Sequence, residues 1–278
     1  TMPHPPTIAL EICDLPPRDW PAALLEPFAD VVADAVAWAK KCVEDYGAEM
    51  LCLQLAGTDP NGEDRPASEA AAVVKQVADA IDVPLIVWGT ASVEKDAEVL
   101  VAVAESVRNR QLVLGPVQEG NYKKIAPAAI AGQHIVAASS PVDVNLAKQL
   151  TIQLGNLGVP EDALVMDPTV SSIGYGIEYC YSVMERLRMA ALTQQDTHLQ
   201  YPLLCCIGRE TWKTKEARME QEENPRMGDV ARRGILLEGM SALLLALAGA
   251  DILVMRHPKA ARLTRETIRD LVDGQKSR

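Results

Sequence analysis

Few residue types in this chain stand at spacings that chemistry requires. The six cysteines, Cys13, Cys42, Cys52, Cys180, Cys205 and Cys206, form no C-x-x-C pair. That spacing argues against a zinc ion or an iron–sulfur cluster held by this chain. Cys205 and Cys206 fall together on an expected strand and point to opposite faces. The set reads as buried, reduced thiols of a cytosolic protein. No H-E-x-x-H, grouped His/Asp ligand set or G-x-S-x-G elbow is present. His257, before Pro258, reads as a packing residue rather than a base. The polar groups gather instead in five glycine- or proline-bearing segments: Gly115–Tyr122, Ser139–Asp143, Asp167–Gly176, Ile207–Lys213 and Arg256–Pro258. Such segments can hydrogen-bond a ligand, but they hold no activated nucleophile. Gly174-Tyr175-Gly176 opens a helix, whose free N–H groups could take an anion or an amide oxygen; it is equally the pattern of a plain helix start.

Each polar segment follows a short apolar run. The eight runs are Thr7–Ile12, Met50–Leu55, Leu85–Trp88, Leu112–Gly115, His134–Ala138, Leu164–Asp167, Leu203–Cys206 and Ile252–Met255. They alternate with helical patterns. Phe28–Tyr46 places Phe28, Val32, Val36, Ala39, Val43 and Tyr46 on one stripe, and Ile177–Leu192 does the same with Ile177, Cys180, Met184, Leu187 and Ala191. Asp229 is a cap for Val230–Ala248, and Gly47 and Gly249 stand where helix-ending glycines belong. Arg209–Gly228 reads as a long loop. Eight βα units with right-handed crossovers close into a single (β/α)₈ TIM barrel. The open doubly wound alternative lacks its Gly-rich first turn, because Cys13-Asp14-Leu15-Pro16-Pro17 stands there. In such a barrel the functional loops follow the strand C-termini, which is where the polar segments lie.

Strand alternation makes a sharper prediction. Ile8, Leu10 and Ile12 should face the helices, so Glu11 points into the barrel near its top. Leu51, Leu53 and Leu55 likewise face out, with Cys52 and Gln54 in. Arg256, ending strand eight beside strand one, is the predicted partner of a buried Glu11.

The net charge of −11 and the lack of any long Lys/Arg run exclude a nucleic-acid or anionic-membrane surface. No apolar run reaches the roughly 18 residues that span a bilayer. The stretch around Met240–Ala250 reads as a buried helix. Residues 1–6 read as a Pro-rich leader, 7–273 as the barrel and 274–278 as a tail, in a cytoplasmic protein.

The loop segments together resemble the small (delta) subunit of the corrinoid/iron–sulfur protein of the reductive acetyl-CoA pathway, the family of the CO dehydrogenase/acetyl-CoA synthase delta subunits. The segments that carry the resemblance are Asn121-Tyr122-Lys123; Ser140-Pro141 with Asp143, Asn145 and Lys148-Gln149-Leu150; Asp167-Pro168; Gly174–Tyr179; Met184-Glu185-Arg186; Lys215-Glu216-Ala217; Arg233-Gly234-Ile235; and Met255–Pro258. They run in family order from about Asp19 to Asp273, and Gly174–Tyr179 with Met255–Pro258 is the specific combination. The resemblance implies a barrel subunit paired with a large subunit that carries a [4Fe–4S] cluster and a corrinoid-binding domain. The corrinoid then lies between that domain and the top of this barrel. The pair accepts a methyl group from methyltetrahydrofolate through a separate methyltransferase and delivers it to acetyl-CoA synthase. Family members usually have a further stretch ahead of strand one, which suggests that this sequence is trimmed there.

A subunit that caps a corrinoid needs polar loops and no catalytic residue, cluster cysteine or metal ligand of its own. Asp196-Thr197-His198-Leu199-Gln200-Tyr201 departs from the cobalamin-ligating D-x-H-x-x-G pattern by ending in Tyr and preceding a strand. The isolated chain is therefore predicted to be colourless. Corrin rims carry amide side chains, so short polar groups and glycine backbones suit them. Asn121, Ser140, Asp167, Ser172, Tyr175, Gly208, Arg256 and His257 are the expected cofactor contacts, on one surface built by the loops after strands four to eight. The alternative is a pterin-dependent methyltetrahydrofolate:corrinoid methyltransferase on the same barrel. There Asp167 and Asn121 would hold the pterin edge, although Ala56-Gly57 and Gly89-Thr90 offer no second acid.

Overall fold

The structure, a computed structural model, describes residues 4–276, with side chains through Asp273. Thr1–Pro3 of the expected leader and Ser277–Arg278 of the tail lie outside the described residues.

The eight apolar runs form β1 (Thr7–Cys13), β2 (Met50–Gln54), β3 (Leu85–Trp88), β4 (Leu112–Val117), β5 (Ile135–Ser139), β6 (Leu164–Asp167), β7 (Leu204–Cys206) and β8 (Ile252–Met255). They are parallel, in the order β6-β5-β4-β3-β2-β1-β8-β7. A bridge between Met166 and Leu203 brings the two outer strands together and nearly closes the barrel. Each strand is followed by a covering helix: α1 (Ala35–Glu44), α2 (Ala67–Ala80), α3 (Val93–Ser106), α4 (Tyr122–Ala131), α5 (Val144–Asn156), α6 (Ile177–Thr193), α7 (Val230–Leu247) and α8 (Pro258–Lys276). This is the predicted (β/α)₈ architecture.

Two apolar layers result from the two faces of the strands. Ile8, Leu10, Ile12, Leu51, Leu53 and Leu55 pack with the helices. Ala9, Cys52, Ile86, Trp88, Val113, Ala137, Val165, Leu204, Cys206 and Val254 fill the barrel. Gly115 makes room for the largest of these, since a Cβ there would stand 2.7 Å from the Trp88 ring. All six cysteines are free and buried. His134 is buried just before β5, its Nδ1 accepting from Leu112 N at 3.2 Å and its Nε2 set against Ala104 O at 3.2 Å.

Three local expectations are corrected. The helix expected over Phe28–Tyr46 begins only at Ala35. Asp34 is extended and its carboxylate accepts from Val36 and Ala37 N–H, which fixes the start. Phe28 instead ends a short 3₁₀ turn and packs 5.1 Å from Trp38. Arg209–Gly228 is not a plain loop. Short helices at Ile207–Thr211 and Lys215–Arg218 pin it down, and Trp212 between them is fully buried. Finally, α7 is buried only on its inner face; Leu236, Met240, Leu244 and Leu247 are exposed. Asp229 does cap α7, accepting from Arg232 N at 2.7 Å.

Candidate functional site at the mouth of the barrel

The C-terminal strand ends open into a cleft of about 880 Å³. Its floor is a buried ion network. Arg256 donates to Glu11 Oε1 through Nε at 2.9 Å and Nη2 at 2.6 Å. Glu11 is 0% exposed, as strand alternation predicted. Arg209, from the short helix after β7, lies 3.7 Å from Glu11 Oε2 and donates to Gln54 Oε1. Gln54 Nε2 in turn donates to Gly89 O at 2.7 Å. Two indoles back the cations: Arg256 lies 4.7 Å from the Trp20 ring centre and Arg209 5.9 Å from that of Trp88. Burial alone would raise the Glu11 carboxyl. The Arg256 and Arg209 charges outweigh that effect and hold it below its ordinary value.

Asp167 ends β6 and lines the cleft. It accepts from Ser139 Oγ at 2.8 Å and from Thr169 N at 2.9 Å. Burial pushes its carboxyl up to about 6, against the pull of these donors. Thr169 holds a left-handed backbone, φ 56°, that a β-branched residue resists. Its Oγ1 ties to Ser140 O at 2.5 Å, which keeps the loop in place. Ala91, φ 67°, lines the opposite rim in the same strained region. Asp96 supports that rim, accepting from Thr90 N at 2.8 Å, and burial pushes its carboxyl up to about 6. Asp14 similarly accepts from Gly57 N at 3.0 Å. So carboxylates do stand behind the ends of β2 and β3, supplied by other segments. Replacing Ser139 with Ala removes one donor to Asp167 and should raise its pKa further. A carboxyl ¹³C titration reads this, and an unchanged midpoint would show that the hydrogen bond is absent.

The remaining expected contacts are dispersed. Asp167 and Arg256 line the cleft. Ser140 borders a separate crevice of about 270 Å³ between the β4 and β5 loops. Asn121 is 1% exposed; its side-chain oxygen accepts from Gln118 N at 2.7 Å and closes the turn before α4. Ser172 Oγ sits 2.6 Å from Cys180 Sγ. Tyr175 projects into solvent, 93% exposed, ahead of α6. Gly208 is a close-packing position: a Cβ there would stand 2.6 Å from Arg256 N and 2.8 Å from Glu238 Oε1. His257 borders a different cleft, beside Tyr46 and Arg262, and stacks on Trp212 at 6.0 Å. Burial lowers its pKa to about 4.

Sequence reasoning missed Arg209, Ser139, Thr169, Trp20 and Glu238. Glu238 is the least expected, a carboxylate in an apolar helix. It accepts from Arg256 N at 2.5 Å, His257 N at 3.1 Å and Trp212 Nε1 at 2.8 Å, and so sets the turn that aims Arg256. Burial pushes its carboxyl up to about 7. A lone acid among Leu, Gly and Met was the available signal. Among the described residues no group of three or more His, Cys, Asp or Glu side chains is placed to hold a metal ion. No helix among them is long and apolar enough to cross a membrane.

Residues 1–268 match the CO dehydrogenase/acetyl-CoA synthase delta subunit family. The chain is 36% identical over 274 residues to the acetyl-CoA decarbonylase/synthase complex subunit delta of Methanopyrus kandleri, covering 98% of itself and 67% of that protein. It is 35% identical to the corresponding subunit of Archaeoglobus fulgidus, covering 97% of itself but 60% of that protein. The chain thus spans about two thirds or less of the relatives it matches. Dihydropteroate synthase of Burkholderia cenocepacia, solved with 7,8-dihydropteroate, superposes with a TM-score of 0.62 at 16% identity, over 100% of this chain and 95% of the other. Dihydropteroate synthase of Xanthomonas albilineans superposes at 0.61, over 98% and 93%. At such identity the likeness establishes the barrel fold alone. The family match and the sequence relatives go further: this chain belongs to the CO dehydrogenase/acetyl-CoA synthase delta subunit family.

Proposed function

We propose that this chain is the barrel subunit of a corrinoid methyl carrier in an acetyl-CoA decarbonylase/synthase complex, and that the mouth of its barrel caps a corrinoid held by a large corrinoid/iron–sulfur subunit. The observation that carries the reading is the make-up of the cleft. Its inner cations Arg256 and Arg209 are committed to Glu11 and Gln54, its rim cations Arg18, Arg65 and Lys213 pair with Glu63 and Glu210, and neutral hydrogen-bonding groups such as Gln118, Thr90 and Ser171 line it beside them. That donor set fits a ring bordered by amide arms, while Trp20 and Trp88, both buried, hold the Arg256 and Arg209 cations beneath it. The corrinoid, when bound, supplies the cobalt centre that accepts and releases the methyl group. This chain's residues orient the ring edge and exclude water from it. Asn121, Ser140, Asp167, Ser172, Tyr175, Gly208, Arg256 and His257 remain the proposed contact or supporting residues. The partners are the large subunit, a methyltetrahydrofolate:corrinoid methyltransferase and acetyl-CoA synthase, in the cytoplasm.

Exposed Tyr175 is the best probe. In the assembled pair, Tyr175→Ala should speed corrinoid loss or slow methyl transfer several-fold while the melting temperature of the chain stays unchanged, because loop residues lie outside the core. If both corrinoid retention and transfer rate match the wild type for Tyr175→Ala and for Ser171→Ala, the cap is misplaced. Methyl transfer from methyltetrahydrofolate by this chain alone would instead support the pterin-dependent methyltransferase reading.

A further inference from the structure

Leu146, Gln149, Leu150 and Gln153 of α5 stand at helical spacing and share one face. That face forms one wall of the crevice of about 270 Å³ beside the mouth. The facing wall is the turn after β4, Gln118-Glu119-Gly120, packed on Val93. Gly120 allows the close packing, since a Cβ there would stand 2.6 Å from Val93 Cγ1. Gln118 and Ser139 line both the crevice and the mouth, so the two spaces adjoin. The backbone at Ser140 is tied down: its N–H donates to Asp167 O at 3.1 Å and its O accepts from Thr169 Oγ1.

The polar groups of this crevice are mostly of one kind. Gln118, Gln149 and Gln153 bring three primary amides to it, and none of the described residues hydrogen-bonds their side chains. Gln153 Oε1 is buried without a partner, which costs free energy until a donor arrives. A primary amide offers both donors and an acceptor, so its natural complement is another amide. Glu119 is the one charged residue among the described lining, with no cation beside it there. A carboxylate or phosphate would enter against a like charge and without a counter-ion. Val93, Leu146 and Leu150 offer apolar surface to methylene groups. Pockets for whole drug-sized ligands run from roughly 300 Å³ upward. This crevice is smaller and adjoins a larger cleft, which suits one arm of a ligand whose body lies in the mouth.

We infer that the crevice is a subsite for one primary-amide arm of the ligand, so that this chain selects a neutral carboxamide over its carboxylic acid at a single position of the corrin rim. The inference rests on the corrinoid-cap reading and adds to it a point of recognition. Gln153 Oε1 accepts an N–H of the arm, and the exposed Gln149 amide donates to its carbonyl.

The test times the release of corrinoid from the large subunit, with and without this chain, into an excess of a competing binder. It is run with complete cobalamin and with derivatives in which a single rim amide is hydrolysed to the acid. The ratio of the two rates reads the protection that this chain adds. One derivative should be protected roughly tenfold less than complete cobalamin, as loss of about one buried hydrogen bond implies. Gln149→Lys, at an exposed position, should restore protection of that derivative and of no other, because it supplies the missing cation. Gln153→Leu should lower protection of complete cobalamin and so narrow the gap. Equal protection of every derivative by the wild-type chain overturns the inference and leaves the cap standing. A deficit that neither substitution alters puts the recognised arm elsewhere and overturns it as well. Protection of no corrinoid at all overturns the cap and the inference together.

Discussion

Replacing Arg256 with Met should lower the unfolding free energy by about 3–5 kcal/mol, the usual result of stranding one charge of a buried pair. Glu11 is fully buried, and only Arg209, at 3.7 Å and already bound to Gln54, remains to answer it. The pair also implies a pH dependence. Because the folded-state Glu11 carboxyl lies below its ordinary value of 4.5, its contribution is fully present above that value. It is lost as pH falls through the lower folded value. Urea unfolding at pH 7 and at pH 3 should therefore show a large gap between wild type and Arg256→Met at pH 7 and a smaller one at pH 3. A variant within about 1 kcal/mol of wild type at pH 7, less than a buried pair is worth, would mean that the network does not form.

The second large effect belongs to Glu238. Burial raises its carboxyl from 4.5 to about 7, so the folded state holds its proton more tightly than the unfolded chain does. The stabilisation is fully present below pH 4.5 and is lost as pH rises through about 7. At about 1.4 kcal/mol per pKa unit the change is on the order of 3 kcal/mol. Asp167 and Asp96 act in the same direction, and His257 in the opposite one. The comparison must therefore be made against a Glu238→Gln variant, which keeps the shape and cannot titrate. That variant turns one acceptor into a donor facing the Arg256, His257 and Trp212 N–H groups, and should lose about 1–3 kcal/mol at pH 5. The deficit should shrink or reverse by pH 8. A constant difference from pH 5 to pH 8 would show that Glu238 is already ionised or is hydrated.

The barrel was legible because strand alternation is a local property. Ile8, Leu10 and Ile12 state which way Glu11 points before any neighbour is known, and strand order then supplies Arg256. Caps read equally well where a side chain acts on its own helix, as Asp229 does. The boundary at Ala35 was lost because Phe28 fits the helical stripe while serving an aromatic cluster with Trp38 and Tyr46. The site was less legible than the fold. Arg209 reaches Gln54 across 155 residues, and Glu238 reaches Arg256 across 18. Neither distance leaves a periodic trace. Gly208 was expected as a cofactor contact; what the structure shows there is close packing, since a Cβ would stand 2.6 Å from Arg256 N.

The exchange of corrinoid between the large subunit and solvent tests the central proposal most directly. The large subunit is loaded with corrinoid, and loss of its visible spectrum to an excess of a competing corrinoid binder is followed with and without this chain. The cap predicts at least tenfold slower loss in the pair, a smaller effect with Tyr175→Ala, and no corrinoid spectrum for this chain by itself. Equal rates with and without this chain, or stoichiometric corrinoid on the isolated chain, would contradict it.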